Sequence, residues 1–312
     1  MVLSAKIPLP EPFDFHLTVG HQTHFQGRSG ADLYTEGTYY RALRRGNDII
    51  VAAATPTDDA QLEVRLLSKG GEPELAFASD AMRHLLALDI DLGGFYAMLE
   101  YDEGLSAAVG WLYGLRPARS ESIFEALVVA IIGQQISANV AKVIREGLVA
   151  GYGTQVQAEG HSLYAFPTPE SFNNATPDEL RAFKLSARKV EYIQDMARCT
   201  LEGELQVERF IDMDNEEVIA ALIKIRGIGR WSAEWMLMRA LGRLDVLPAG
   251  DLALRRVVQD LYFNGATITE QQLTAFGEER WAPYRGLATT YLFAYLRLQR
   301  LVKGGTGTVP PG

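Results

Sequence analysis

Apolar positions recur at two different periods along this chain. Over the first ninety residues they alternate. Residues 38–43, a Gly46-Asn47 turn and residues 49–52 read as a β-hairpin, and residues 61–67 alternate like a half-buried strand that meets Lys69-Gly70-Gly71. Leu75-Ala76-Phe77 reads as one more strand, and residues 79–88 as a helix. From Gly94 onward the period becomes helical. Residues 94–115 make one or two helices before the break at Arg116-Pro117, and Ser122-Ile123-Phe124-Glu125 opens an apolar helix as a capping box. Gly133-Gln134-Gln135-Ile136-Ser137 interrupts that helix, which resumes over residues 138–149. Threonine caps with Pro at the first helical position stand at Thr168-Pro169 and Thr176-Pro177, and further helices are predicted over 186–201, 251–262, 269–276 and 287–301. The pattern predicts an α+β chain: an antiparallel-sheet domain over residues 1–90, a helical part over 91–302, and a flexible tail over 303–312.

One stretch stands out within the helical part. Asp214-Asn215-Glu216-Glu217 is a capping box, and Val218, Leu222 and Ile225 follow at helical spacing until Gly227 breaks the pattern. A second helix begins near Arg230 and runs through Trp235 and Met238 to Leu241, where Gly242 ends it. Two helices joined by Gly227-Ile228-Gly229 make a helix-hairpin-helix. Glycines without a Cβ permit a tight turn, so the backbone N–H groups that open the second helix can face a phosphate, with Arg226 and Arg230 on either side. Gly-x-Gly by itself also reads as nothing more than a turn. Twenty residues beyond Trp231, Pro248-Ala249-Gly250 leads to Asp251 at the start of another helix. Asp251 reads both as a helix N-cap and as a carboxylate facing a cleft, and the two roles are compatible.

Composition narrows the classes open to such a chain. At 312 residues and 47% apolar it holds two or three packed units, and no run of about 18 apolar residues predicts a membrane span. The start lacks a basic segment followed by a long apolar core, so no signal peptide and a cytoplasmic location are expected. The single Cys199 excludes an internal disulfide framework and a four-cysteine iron–sulfur cluster. None of the five histidines has zinc spacing with Cys199, and His21-x-x-His24 reads as a loop accident. A net charge of −9 argues against a protein that coats nucleic acid, yet from Lys224 to Arg243 five basic residues face one acid, Glu234.

Taken together, Gly227-Ile228-Gly229-Arg230-Trp231-Ser232-Ala233 and the Pro248-Ala249-Gly250-Asp251 loop resemble the helix-hairpin-helix/Gly-Pro-Asp superfamily of DNA base-excision glycosylases. More narrowly, the stretch is similar to the bacterial 3-methyladenine DNA glycosylase II type, whose members read Gly-Ile-Gly-Arg-Trp-Thr-Ala at this place. The resemblance implies an N-terminal sheet domain followed by helical subdomains with a cleft between them. It implies Asp251 as the essential carboxylate, although the family's Gly-Pro-Asp order is scrambled here. A lone anion suits the chemistry: breaking an N-glycosidic bond builds positive charge on the sugar, which a nearby carboxylate stabilises while orienting water. Relatives that also cut the backbone carry a lysine nucleophile where this chain has Trp231, so a monofunctional enzyme without lyase activity is implied.

The same resemblance assigns the remaining roles. Trp231 and Trp235 lie four apart on one helix face, and Trp281-Ala282-Pro283-Tyr284-Arg285 resembles a Trp-x-Pro-Trp-Arg segment, with Tyr284 replacing the second tryptophan. These aromatics would form a cleft that favours cationic alkylated purines such as 3-methyladenine and 7-methylguanine; the bland alternative is that both tryptophans are core. The Gln134-Gln135 loop would fill the hole left by a flipped base, with Gln135 as the wedge and Ser137 on a phosphate. Main-chain carbonyls of Ile225 and Ile228 would hold a monovalent cation, Na+ or K+, with no other cofactor. Double-stranded DNA carrying a damaged base is the implied partner, and a monomer is expected. Two rivals remain: a superfamily glycosylase for deaminated or oxidised bases, and a catalytically silent helix-hairpin-helix DNA-binding protein.

Overall fold

The computed structural model describes residues 2–25 and 27–303. Six strands form an antiparallel sheet in the order β1-β6-β5-β4-β3-β2: β1 (Ser4–Pro8), β2 (Arg28–Ser29), β3 (Asp32–Thr35), β4 (Thr38–Arg45), β5 (Asp48–Pro56) and β6 (Gln61–Leu66). Arg45 pairs with Asp48, so the expected Gly46-Asn47 turn closes the β4–β5 hairpin. Alternation then sorts the side chains. Tyr39, Leu43, Leu62 and Val64 pack with Val19 of α1 (Phe15–Gln22) and with Leu75 and Met82 of α2 (Glu72–Leu85). Leu33, Tyr40, Ala42 and Val51 point to the other face.

Two expectations for this unit need correction. Leu75-Ala76-Phe77 is no strand; it lies in the first turns of α2. The Glu74 carboxylate accepts from the Gly71 N–H at 2.8 Å to start the helix, and Leu75, Ala78, Met82 and Leu85 are buried at helical spacing. The second concerns the helical part, which contains a hairpin of its own, β7 (Thr154–Ala158) and β8 (His161–Ala165), turned by Glu159 and Gly160 at positive φ. Leu163 and Ala165 cover the second face of the six-stranded sheet.

The remaining helices divide between two apolar cores. One gathers α5 (Ile123–Gly133), α6 (Ala138–Tyr152), α7 (Pro169–Asn174), α8 (Pro177–Arg181), α9 (Ala187–Leu201), α10 (Val207–Phe210), α11 (Asn215–Leu222) and α12 (Arg230–Arg239). The other joins α3 (Gly93–Leu99) and α4 (Glu103–Val109) to α13 (Leu252–Tyr262), α14 (Glu270–Trp281) and α15 (Arg285–Lys303). No helix among the described residues is long and apolar enough to cross a membrane. The chain passes from the first core to the second between Val246 and Leu247, and Asp251 starts the helix just beyond that crossing.

A buried ionic joint ties the sheet to the first core. Arg41 on β4, 1% exposed, reaches Asp32 at 2.8 Å and both carboxylate oxygens of Glu125 on α5 at 2.7 and 2.8 Å. Burying these charges is tolerable only because each is paired. The joint therefore fixes α5, whose far end carries the Gln134-Gln135 loop.

Candidate active site

Each part of the helix-hairpin-helix has a local cause. Asp214 and Glu217 exchange backbone bonds of 2.8 and 2.9 Å, which starts α11 as a capping box. The turn folds back when the Ile228 N–H reaches the Ile225 carbonyl at 3.1 Å. Gly227 sits at φ +93°, and a Cβ there would lie 2.2 Å from the Tyr192 ring, so no other residue fits. Gly229 is different. Its position is open, no side chain caps α12, and the first amides of that helix have no intrahelical partners. That open, uncapped helix start is suited to an anion.

The arginines beside the turn are less free than the sequence suggests. Arg226 binds Glu191 at 2.5 Å and lies over the Tyr192 ring, and Arg230 is held by Glu216 at 2.9 Å and Glu234 at 3.0 Å. Folding brings Glu191 and Glu216 to a turn where the local count saw Glu234 alone. The exposed pairs contribute little to stability, so a phosphate can replace those carboxylates at small cost. Glu234 itself is buried, and burial, opposed by Arg230, pushes its carboxyl up to about 7.

The interrupted helix supplies a second turn at the same place. Lys189 donates to the carbonyls of Ile132 and Gln134, each at 2.8 Å, and so finishes α5. The Gln134 amide donates to the Gly227 carbonyl at 3.1 Å and to Ser232 Oγ at 3.0 Å. Gln134 is thus a tie between the two turns and faces the protein. Gln135 is exposed and held at φ +57°, projecting from the loop. Ser137 caps α6 through Val140, an exposed position at the end of the same loop.

Asp251 caps α13, as its place before that helix predicts, and bonds a tryptophan as well. One oxygen accepts from the N–H groups of Ala253 and Leu254 at 2.8 and 3.0 Å, capping α13. The other accepts from the Trp231 indole at 2.9 Å. Trp231 meets the Trp235 ring edge-on at 5.8 Å. Trp235 continues into Phe293 of α15, 5.5 Å away, and carries the Arg239 guanidinium 5.4 Å over its face. The aromatic pair is half-buried wall beside a carboxylate.

In the segment 281–285 both aromatic rings pack on the second helical core. Trp281 is fully buried, donating to Asp102 at 3.0 Å among Tyr262 and Phe276, so it is core of the second helical unit. Tyr284 packs on Phe95 at 6.2 Å and over Gly94, where a Cβ would collide with its hydroxyl. The ring beside Trp235 is Phe293 of α15.

Residues 128–283, which span both turns and Asp251, match the model of the HhH-GPD superfamily of base excision DNA repair proteins. The chain belongs to this superfamily. A Bacillus subtilis protein named DNA-3-methyladenine glycosylase is 28% identical over 293 residues, 93% of this chain and 96% of its own length. The structure of a 3-methyladenine DNA glycosylase from Archaeoglobus fulgidus superposes with a TM-score of 0.84 at 30% identity, over 95% of this chain and 99% of that one. A Schizosaccharomyces pombe 3-methyladenine DNA glycosylase, solved in complex with abasic DNA, is 30% identical with a TM-score of 0.54, over 66% of this chain and 95% of its own.

Within this superfamily member, three groups at the site escaped the sequence pattern. Lys189 and Phe293 are placed by tertiary packing alone. His21 and His24 read as a loop accident, yet His21 is buried in the last turn of α1 and both rings meet arginines from α15 and α6.

Proposed function

We propose that the chain is a monofunctional glycosylase that hydrolyses the N-glycosidic bond of alkylated purines in double-stranded DNA, acting as a monomer in base excision repair. The observation that carries this reading is the Asp251 carboxylate, fixed by two helix amides and the Trp231 indole at the junction of the two helical cores. An anion so held stabilises the positive charge that builds on the sugar and orients the attacking water, with no rearrangement needed during the reaction. The names of the bacterial and archaeal relatives support 3-methyladenine as a substrate.

DNA would be gripped at the open start of α12 around Gly227 and Gly229, with Arg226, Arg230 and Ser137 beside it. Gln135 would enter the stack as the damaged nucleotide turns out toward Trp231 and Trp235. The carbonyls of Ile225 and Ile228 would hold a monovalent cation. The Ile225 carbonyl accepts one backbone bond and keeps a second lone pair, so the turn fits that ion. Lyase chemistry needs an amine near the sugar. The position beside Asp251 is Trp231, while Lys189 is held by two carbonyls and Lys224 is exposed beyond α11.

The test is release of free base from alkylated duplex DNA by wild type and Asp251→Asn, with and without later alkali. Release that disappears in the variant, with strand cleavage only after alkali, supports the reading. A fully active variant removes Asp251 from the chemistry, and strand cleavage without alkali removes the monofunctional assignment.

A further inference from the structure

The loop that carries Gln135 has a backbone at odds with its sequence. Gln134 at φ −55° and ψ 126°, followed by Gln135 at φ +57°, sets the peptide between them as in a type II turn. The second central position of that turn ordinarily takes glycine, because other residues are strained in the left-handed region. Turning the peptide over, to ψ of about −30° at Gln134 and φ of about −90° at Gln135, gives a type I turn that any residue accepts. Left to itself, a Gln-Gln pair should therefore turn its peptide over. The strained form persists only where its surroundings over-determine it.

Lys189 supplies that restraint. The oxygen of the peptide is the Gln134 carbonyl, to which the Lys189 ammonium donates at 2.8 Å. The same ammonium donates to the Ile132 carbonyl at 2.8 Å. Both acceptors belong to the end of α5, whose last turn has no basic residue of its own. Lys189 reaches them from the first turn of α9, where its own N–H is taken by the Ser186 cap at 3.3 Å. Val190 and Ile193 of α9 are buried in one core with Leu127 and Ile131 of α5, so the two helices cannot slide apart. Gln134 is anchored twice more. Its N–H reaches the Ile131 carbonyl at 3.2 Å, and its side chain bonds Gly227 and Ser232 at 3.1 and 3.0 Å. In this trans peptide the Gln135 N–H points to the side opposite the gripped carbonyl, beside an exposed side chain.

We propose that Lys189 is a positioning residue for base eversion: it latches the Gln134–Gln135 peptide so that the loop meets DNA as a fixed wedge with an N–H turned outward. This rests on the reading of Gln135 as the wedge of a glycosylase. With the latch closed, the loop offers phosphate and base acceptors a donor. With the peptide turned over it offers a carbonyl, which meets those acceptors with another acceptor. An unlatched loop also divides its time between two forms, so the wedge is no longer set before the base leaves the stack.

The test is stopped-flow fluorescence of 2-aminopurine placed next to a single 7-methylguanine, with single-turnover base release measured on the same duplex. Wild type should raise the signal as the base turns out. With the lesion opposite cytosine, folded Lys189→Met should lose most of that rise and release base about 10- to 100-fold more slowly. Lys189→Arg keeps the donors and should restore both. Opposite a tetrahydrofuran no base pair has to be broken, and the release defect of Lys189→Met should shrink to within about threefold. Lys189→Gln, too short to reach both carbonyls, takes the place of the methionine variant if that one fails to fold. A wild-type-like signal and rate in the folded variant overturn the latch. Equal slowing on both duplexes overturns it too, since Lys189 would then support the whole site. If wild type turns the base out and releases none, the glycosylase reading fails and the fluorescence still decides the latch. If wild type gives no rise, there is no eversion for Lys189 to serve and the proposal falls.

Discussion

The Trp231 indole donates to Asp251 across a gap of twenty residues in sequence and 2.9 Å in space, while the other Asp251 oxygen caps α13. Neither oxygen is therefore free to wander. Trp231→Phe keeps the ring and removes the donor. Because hydrogen bonds to charged groups contribute about 1.5–3 kcal/mol, single-turnover base release should slow by about 10- to 100-fold. DNA affinity should change far less, and a loss confined to affinity would show that the bond positions DNA and not the carboxylate.

The two hairpin glycines should behave differently. At Gly227 a Cβ meets Tyr192 and the backbone is left-handed, so Gly227→Ala should lower stability by more than about 1 kcal/mol in urea unfolding. Nothing lies near a Cβ at Gly229. Gly229→Ala should stay within about 1 kcal/mol of wild type, since it alters only a cap, yet weaken binding of duplex DNA by crowding the approach of a phosphate. Unchanged DNA affinity in Gly229→Ala would mean that no phosphate sits at the start of α12.

These glycines also show what was legible beforehand. Caps, turns and the Asp251 loop depend on residues a few places apart, and that spacing is visible in a sequence. The role of Trp281 depends on Asp102, 179 residues away, and no local pattern reports it. His21 in α1 and His24 just past it meet Arg297 of α15 and Arg145 of α6, and no spacing along the chain reports those contacts. Leu75-Ala76-Phe77 misled because three apolar residues fit either period, and the decision lay with the Glu74 cap on Gly71. The β7–β8 hairpin was missed because its strands are short and half polar, and they are fixed by the sheet they cover.

Removing one partner of the Arg41 joint should be severe. Arg41→Met leaves Asp32 and Glu125 as unpaired carboxylates, with Arg41 itself 1% exposed in the native fold. Breaking a buried pair in this way costs about 3–5 kcal/mol. Denaturant unfolding should show a loss of that size. A loss below about 1 kcal/mol would show that water reaches the joint and that the sheet is held to α5 by apolar contacts alone.

Glu234 gives the hairpin a pH dependence whose sign follows from its surroundings. Burial pushes its folded-state carboxyl up to about 7 from 4.5, with Arg230 pulling the other way. Between those values the folded protein holds a proton that the unfolded chain releases, so this group's contribution is fully present below about 4.5 and is lost as pH rises toward 7. Glu234→Gln keeps the neutral shape at every pH. Relative to wild type it should gain about 2–3 kcal/mol in stability between pH 5 and pH 8, while the lost contact with Arg230 lowers the variant equally at both pH values. The measurement is urea unfolding of both proteins at the two pH values. Parallel losses in wild type and variant would show that Glu234 is already ionised in the fold at pH 5, held by Arg230 more strongly than burial opposes it.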